Sequence, residues 1–155
     1  MMKGILTKKE PERSLLVHLG KTGGRNNRGR ITMWQRGGGS RLLWRNITFG
    51  QAHMGQKGKV ATIEYDPNRN AFIMLVEYEN REKYYMLAPQ GIQVGDEIVC
   101  DEKTEVKSGN RMKLVNIPPG ENVYNIELEP GRGGTMARSA GTFATIAGHE
   151  GKYTQ

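Results

Sequence analysis

Two glycine-rich stretches contain part of the pattern of a phosphate-binding loop, and neither completes it. Gly20-Lys21-Thr22 matches the end of a P-loop, but the pattern requires a glycine five positions before Gly20, where the chain has Leu15. Gly131-Arg132-Gly133-Gly134 lacks the third glycine and the strand-to-helix context of a dinucleotide-binding fingerprint. The sequence therefore argues against an enzyme that uses a nucleotide cofactor.

The side chains that could act as nucleophiles, bases or metal ligands are isolated from one another along the chain. Cys100 is the single cysteine and ends an apolar segment, which is typical of a small buried hydrophobic side chain. Ser139 lacks the Gly-x-Ser-x-Gly turn of a serine hydrolase. His18, His53 and His149 have no partner at metal-ligand spacing. We therefore expect no catalytic residues, no metal site and no cofactor.

Arginine and glycine are interspersed in two segments, residues 20–45 and 131–141. Glycine lets the backbone approach a phosphate chain closely, and arginine binds phosphate through two hydrogen bonds and stacks on exposed bases. These segments therefore predict contacts with RNA. The predicted RNA-binding residues of the first segment are Lys21, Arg25, Asn26, Asn27, Arg28, Arg30, Arg36, Arg41 and Arg45, and those of the second are Arg132, Arg138 and Ser139.

Trp34 and Trp44 lie among the arginines of the first segment, and two interpretations of them remain open. A tryptophan can fill the core of a small β-barrel, or its ring can stack on an unpaired base. From the residues alone, core packing is slightly favoured for each. The exposure of the two rings in the folded chain distinguishes the interpretations.

The net charge of the chain is +7, and it is spread unevenly. Residues 1–59 hold 13 Lys and Arg against 2 Asp and Glu, whereas residues 60–130 hold 7 against 13. A basic segment gains binding free energy from the release of counterions when it meets phosphates, so this pattern favours a nucleic-acid partner. The alternative is a solvated basic tail without a partner.

Turn signals and short apolar segments alternate along the chain with the spacing of an all-β protein. The 155 residues correspond to about one domain, and no run of ~18 apolar residues that could span a membrane occurs. Candidate strands recur roughly every 8–12 residues, which is typical of a barrel or sandwich. The predicted strands are 30–35, 41–48, 60–65, 71–78, 83–87, 95–100, 111–117, 122–128 and 141–147. Pro118-Pro119-Gly120 marks a break between two small β modules.

Several motifs occur in the order of one known family. They are Thr-Gly-Gly-Arg-Asn-Asn-Arg-Gly-Arg-Ile-Thr at Thr22–Thr32, Arg-Gly-Gly-Gly at Arg36–Gly39, Glu-Tyr-Asp-Pro-Asn-Arg at Glu64–Arg69, the segment Asn125–Gly134, and Ala-Arg-Ser-Ala-Gly-Thr at Ala137–Thr142. With these motifs the chain resembles the second protein of the large ribosomal subunit, a universal family that binds ribosomal RNA near the peptidyl-transferase centre. The resemblance extends from about Thr22 to Tyr153.

The resemblance implies both a fold and a function. The implied fold has a basic RNA-binding extension over residues 1–33, an oligonucleotide-binding-fold barrel over 34–116, and the start of a small Src-homology-3-like barrel over 117–155. The family's functional arginines correspond by motif to Arg69 and Arg138. The expected function is that of a structural constituent of the large subunit, not an enzyme, that binds large-subunit ribosomal RNA and supports the peptidyl-transferase region. The expected partners are that RNA and other large-subunit proteins, with no membrane.

The chain stops at Gln155, partway through the second barrel of the family. We therefore expect a second chain to carry the missing C-terminal half, as in a split protein, and we expect a mitochondrial location. The alternative function is a free-standing RNA-binding or regulatory module with an oligonucleotide-binding fold. Sedimentation with large subunits through high salt would separate the two, because a free module would wash off.

Overall fold

The computed structural model describes residues 5–7, 10–37, 43–50, 53–151 and 153–155. Within these ranges the chain consists of strands and loops, with two short 3-10 turns at Arg13–Leu15 and Leu114–Asn116. The strands of the described residues are β1 Leu16–His18, β2 Leu43–Arg45, β3 Lys57–Glu64, β4 Ile73–Tyr78, β5 Lys83–Leu87, β6 Glu97–Val99, β7 Asn122–Val123, β8 Ala144–Thr145, β9 His149–Glu150 and β10 Tyr153–Thr154. The all-β prediction is confirmed, and none of the described helical segments is long and apolar enough to cross a membrane.

A four-stranded antiparallel sheet with the strand order β5-β4-β3-β6 forms the centre of the molecule. β3 and β4 form the predicted hairpin, whose connection contains the Asp-Pro-Asn turn at residues 66–68. Proline fixes its own φ there and favours the turn. The register between β3 and β4 shifts between Val60 and Thr62, and a β-bulge of this kind increases the local twist of the strand.

β4 is buried on both of its faces, which explains why its sequence is a continuous apolar run. Successive side chains of a strand point to opposite faces of the sheet. Met74 and Val76 belong to one buried cluster that also contains residues of β3 and β6, whereas Ile73 and Leu75 belong to a second cluster with Tyr85. The sheet therefore separates two small cores.

β1 and β2 form a separate two-stranded sheet that is joined to the central sheet through the segment after β2. Ile47 forms a β-bridge with Tyr85, and the amide of Thr48 donates a hydrogen bond to the carbonyl of Tyr85 at 2.9 Å. Val17 lies opposite Trp44 in the β1–β2 pair, and both side chains are exposed. One side of this small sheet therefore faces solvent.

Two of the predicted strands are wrong, because local hydrogen bonds compete with strand pairing. Over residues 30–35 only Ile31 forms a bridge, since the carbonyl of Gly24 accepts the amides of Thr32 and Met33 and closes a loop. Over residues 111–117 the chain forms the 3-10 turn Leu114–Asn116 in place of a strand.

The other predicted strands are present, some with shorter bounds. The segments 60–65, 71–78, 83–87 and 95–100 correspond to β3, β4, β5 and β6. The segments 122–128 and 141–147 shorten to β7 and β8, which pair with each other. Of the segment 41–48, residues 43–45 form β2, and residues 41–42 lie outside the described residues.

Candidate nucleic-acid interface

The Asp-Pro-Asn-Arg motif forms a turn that is organised around one buried carboxylate, that of Asp66. Its Oδ1 accepts hydrogen bonds from the amide of Asn68 at 3.0 Å and from Nη1 of Arg45 at 3.2 Å. Its Oδ2 accepts a hydrogen bond from Nε of Arg69 at 2.6 Å. An aspartate that accepts from the amide two residues later forms an Asx-turn. The motif therefore fixes its own backbone and the guanidinium of Arg69 together.

Arg45 is a buried partner of Asp66. It is 7% exposed, and it is the inward-facing residue at the end of β2. Charged side chains are costly to bury unless they are paired, and Asp66 provides the pairing for Arg45. Arg45 is among the predicted RNA-binding residues, and the structure places it behind Asp66, where it supports the aspartate that holds Arg69.

Two guanidiniums from distant motifs lie against the ring of Phe49. The Cζ atom of Arg69 is 5.7 Å from the ring centroid, and the Cζ atom of Arg138 is 4.5 Å from it. The Cζ atom of Arg69 also lies 5.8 Å from the ring of Trp44. A cation within about 6 Å of an aromatic centroid is attracted to the ring. The ring of Phe49 therefore lies beside two guanidiniums, of which that of Arg69 is also paired with Asp66.

The glycine-rich loop at residues 131–134 packs against the segment that contains Phe49. The amide of Gly134 donates a hydrogen bond to the carbonyl of Phe49 at 2.8 Å. A Cβ atom at position 134 would lie 2.6 Å from the carbonyl oxygen of Asn125, so a larger residue does not fit there. Nη1 of Arg138 donates to the carbonyl of Gly134 at 3.3 Å, and this contact connects the loop to the arginine.

Glu127 fixes the same loop from its other side. Its Oε1 accepts the amide of Gly133, and its Oε2 lies 3.1 Å from Nη2 of Arg111. Burial raises the pKa of Glu127, but the hydrogen bonds from the Gly133 amide and from Arg111 outweigh this effect and hold the pKa below its ordinary value. The ionised carboxylate therefore ties the glycine loop to Arg111.

The side chains around Phe49 line an open cleft of about 390 Å³. Its lining residues are Trp44, Phe49, Asn68, Arg69, Asn70, Ala71, Arg138 and Ser139. Three predicted site residues, Arg69, Arg138 and Ser139, thus come together from two motifs. Guanidiniums suit phosphate oxygens, and aromatic rings suit the faces of bases, so the cleft has the groups needed to hold a nucleotide unit. Phe49 is not among the residues predicted from the sequence; the feature that indicates it is an aromatic residue directly before a glycine-rich loop.

The remaining predicted site residues do not line this cleft. Those between residues 21 and 36 are exposed: Lys21, Arg25, Asn26, Asn27, Arg28, Arg30 and Arg36. Oδ1 of Asn26 accepts the amides of Arg28 and Arg30 at 3.0 Å each, so this side chain organises the loop from which the cations project. Arg132 is exposed and paired with Glu129 at 2.7 Å. Arg41 lies outside the described residues.

The core interpretation of the two tryptophans is wrong. The side chain of Trp34 is 86% exposed, and that of Trp44 is 41% exposed and forms a wall of the cleft. Both lie outside the two buried clusters of the central sheet, which are filled by smaller aliphatic and tyrosine side chains. Their rings are therefore accessible to a partner.

His53 has local partners, and Cys100 is buried. Within the described ranges, no group of three His, Cys, Asp or Glu side chains could hold a metal ion. Nε2 of His53 lies 2.7 Å from Glu82, and its ring packs against Tyr78 and Tyr84. Burial raises the pKa of the Cys100 thiol, which favours the protonated, weakly nucleophilic form.

Comparison with known proteins gives one family for both parts of the chain. The family model "Ribosomal Proteins L2, RNA binding N-terminal domain" matches residues 12–100, and "Ribosomal Proteins L2, C-terminal domain" matches residues 107–155. Two relatives from strains of Cereibacter sphaeroides, each named large ribosomal subunit protein uL2, are 50% and 49% identical to the chain over 150 residues. These alignments cover 97% of this chain and 54% of each relative, so the chain spans about half the length of the curated relatives it matches. The chain belongs to the ribosomal protein L2 family of the large ribosomal subunit.

Proposed function

We propose that the chain binds large-subunit ribosomal RNA as a structural, non-catalytic constituent of the large subunit, and that the cleft between Arg69 and Arg138 holds part of that RNA. One observation carries the proposal: two arginines from distant motifs lie against the same aromatic ring, that of Phe49. The matching N-terminal domain family is described as RNA binding, which supports the same conclusion.

The contacts within the cleft suit the sugar-phosphate backbone of RNA. Asp66 engages Arg69 through Nε, and the guanidinium carries four further N–H donors on its two Nη atoms. A planar guanidinium can bridge two phosphate oxygens. The ring of Trp44 and the hydroxyl of Ser139 line the same cleft, so a nucleotide would find an apolar face and a hydrogen-bonding group beside the bound phosphate.

The basic extension supplies the second part of the proposed interaction. Its exposed cations project from residues 21–30, where they can reach phosphates of neighbouring RNA helices. Each phosphate that a cation neutralises releases counterions and strengthens binding at low salt. We assign bulk electrostatic attraction to this extension and a fixed, geometric contact to the cleft.

The resemblance extends this proposal beyond the described contacts. The extended proposal includes support for the peptidyl-transferase region and contact with other large-subunit proteins. It also includes the division of the chain into an extension over 1–33, a first barrel over 34–116 and a second barrel over 117–155. A second chain carrying the C-terminal half and a mitochondrial location remain predictions. The relatives reported above are bacterial, so they give the mitochondrial location no support.

Filter binding of the full chain to a transcript of large-subunit ribosomal RNA tests the proposed cleft. We expect Arg69→Lys and Arg138→Lys each to weaken binding by about 1–3 kcal/mol, or roughly 5- to 150-fold, because lysine cannot form the two-point contact. Arg81→Lys is the matched control, since Arg81 is exposed in the β4–β5 turn, at the other end of β4 from the cleft.

Two further measurements test whether the variants are folded and whether the chain stays bound to large subunits. Urea unfolding of each variant shows whether the chain remains folded. The wild-type chain should also stay with large subunits through a high-salt sucrose gradient, whereas a free-standing module would be lost. Wild-type affinity of both lysine variants would remove the cleft from the proposal, and failure of the wild-type chain to bind the transcript would refute RNA binding altogether.

A further inference from the structure

Trp34 is the most exposed large hydrophobic side chain among the described residues, at 86%. Two apolar neighbours in sequence, Ile31 and Met33, are also exposed, at 44% and 49%. A contiguous exposed apolar patch marks an interaction site, and these three side chains lie within four positions of one another in the sequence.

The backbone next to Trp34 is held in place. The carbonyl of Gly24 accepts the amides of Thr32 at 2.8 Å and Met33 at 3.2 Å, and residues 34–35 form a turn. Gly24 has φ of +73°, and a Cβ atom there would lie 2.3 Å from the carbonyl oxygen of Met33, so only glycine permits this closure. Trp34 is therefore presented from a closed loop, which lowers the entropy lost when its ring binds.

The charge around Trp34 identifies the chemistry of its partner. The sequence contains no Asp or Glu between Glu12 and Glu64, so this ring lies in a segment whose charged side chains are all basic. Arg30 and Arg36 flank it, and both are exposed. A partner that offers flat apolar faces next to dense negative charge is a nucleic acid with unpaired bases.

We propose that Trp34 stacks on an unpaired base of RNA while Arg30 and Arg36 contact the adjoining phosphates. This site is separate from the cleft at Phe49, whose lining does not include Trp34. The inference rests on the proposed RNA-binding function and adds to it a requirement for a single-stranded nucleotide at a defined residue.

The test compares the affinity of the full chain for two strands. One is a single-stranded oligoribonucleotide of about ten nucleotides, a length within the range of ~4–16 that such proteins occupy, and the other is an abasic strand of the same length. The wild-type chain should bind the strand with bases at least about fivefold more tightly, and the Trp34→Ala variant should lose this preference while it still binds the abasic strand. Trp34→Phe should keep part of the preference, because a smaller ring still stacks.

Tyr153→Ala is the matched control, because Tyr153 is an aromatic residue that is 80% exposed outside the basic segment. This control should retain the wild-type preference for bases. Equal binding of both strands by a wild-type chain that still binds the ribosomal RNA transcript would overturn the inference and leave the proposed function intact. A Trp34→Ala variant that keeps the base preference but no longer binds purified large-subunit proteins would assign the ring to a protein partner and overturn the inference.

Discussion

Replacing Asp66 with asparagine should destabilise the chain strongly, because it leaves a buried arginine without its counterion. Asp66 is fully buried, Arg45 is 7% exposed, and their ion pair measures 3.2 Å. Removal of one partner from a buried pair costs about 3–5 kcal/mol. Asp66→Asn should therefore lower the free energy of unfolding by about that amount, measured as a lower urea midpoint with an unchanged m-value.

Two comparisons separate this effect from a general loss of surface charge. Glu129→Gln breaks an ion pair whose side chains are both 68% exposed, and it should cost less than about 1 kcal/mol. The double variant Arg45→Met, Asp66→Asn should recover part of the stability that Asp66→Asn loses, since it removes the unpaired charge of Arg45. An Asp66→Asn midpoint equal to that of Glu129→Gln would refute the assignment of a buried, charge-paired network.

The same variants test whether the network positions Arg69 for RNA. In the double variant Arg69 lacks the carboxylate that binds its Nε at 2.6 Å. The affinity of the double variant for ribosomal RNA should therefore stay reduced even though the stability of this variant has partly recovered. Arg69→Ala added to the double variant should then cost less affinity than Arg69→Ala in the wild-type chain, because the guanidinium no longer has a fixed orientation there. Equal costs in the two backgrounds would mean that Asp66 does not orient Arg69.

Three further predictions concern salt, acid and local stability. Deletion of residues 1–33 should make the slope of log affinity for RNA against log salt less steep, by about 0.7–0.9 for each phosphate that the extension neutralises in the intact chain. An unchanged slope would show that the extension does not bind phosphates. The pKa of Glu127 is lowered in the folded chain. The ionised carboxylate therefore stabilises the fold fully above the unfolded-state pKa of about 4.3, and this stabilisation is lost as the pH falls through the lower folded-state pKa. Glu127→Gln should weaken the dependence of the free energy of unfolding on acid pH, and an identical pH profile would contradict this. Amides of residues 122–147, where β7 and β8 hold two residues each, should exchange with solvent faster than those of the 60–78 hairpin in the isolated chain, and equal protection would show that the second module is stable unaided.

The central hairpins could be predicted from the sequence because local pattern and buried environment agree there. β4 is a continuous apolar run, the turn before it contains Asp66 and Pro67, and the predicted segment 83–87 has the bounds of β5. The loop closed by Gly24 could not be predicted in the same way. Its shape depends on a backbone contact with Met33, and the apolar residues of 30–35 have the composition of a strand.

The candidate site was only partly predictable, because side-chain type does not specify a distant partner. Family motifs indicated Arg69 and Arg138, and the structure brings both to Phe49. Arg45 is also an arginine that the sequence predicts to bind RNA, yet it is buried and paired with Asp66, 21 residues away. A single sequence does not show which arginines face a ligand and which neutralise a buried aspartate.

The hydrogen bond from the Gly134 amide to the Phe49 carbonyl has a consequence for the order in which the proposed RNA contacts form. Arg138 reaches the ring of Phe49 only when the chain around residue 134 has docked onto the earlier segment, so the complete cleft depends on this long-range contact. The exposed cations of residues 21–36 require no such docking. Under the proposed function, RNA should therefore first meet these exposed cations, and the cleft should close on a nucleotide afterwards in a step that does not depend on concentration.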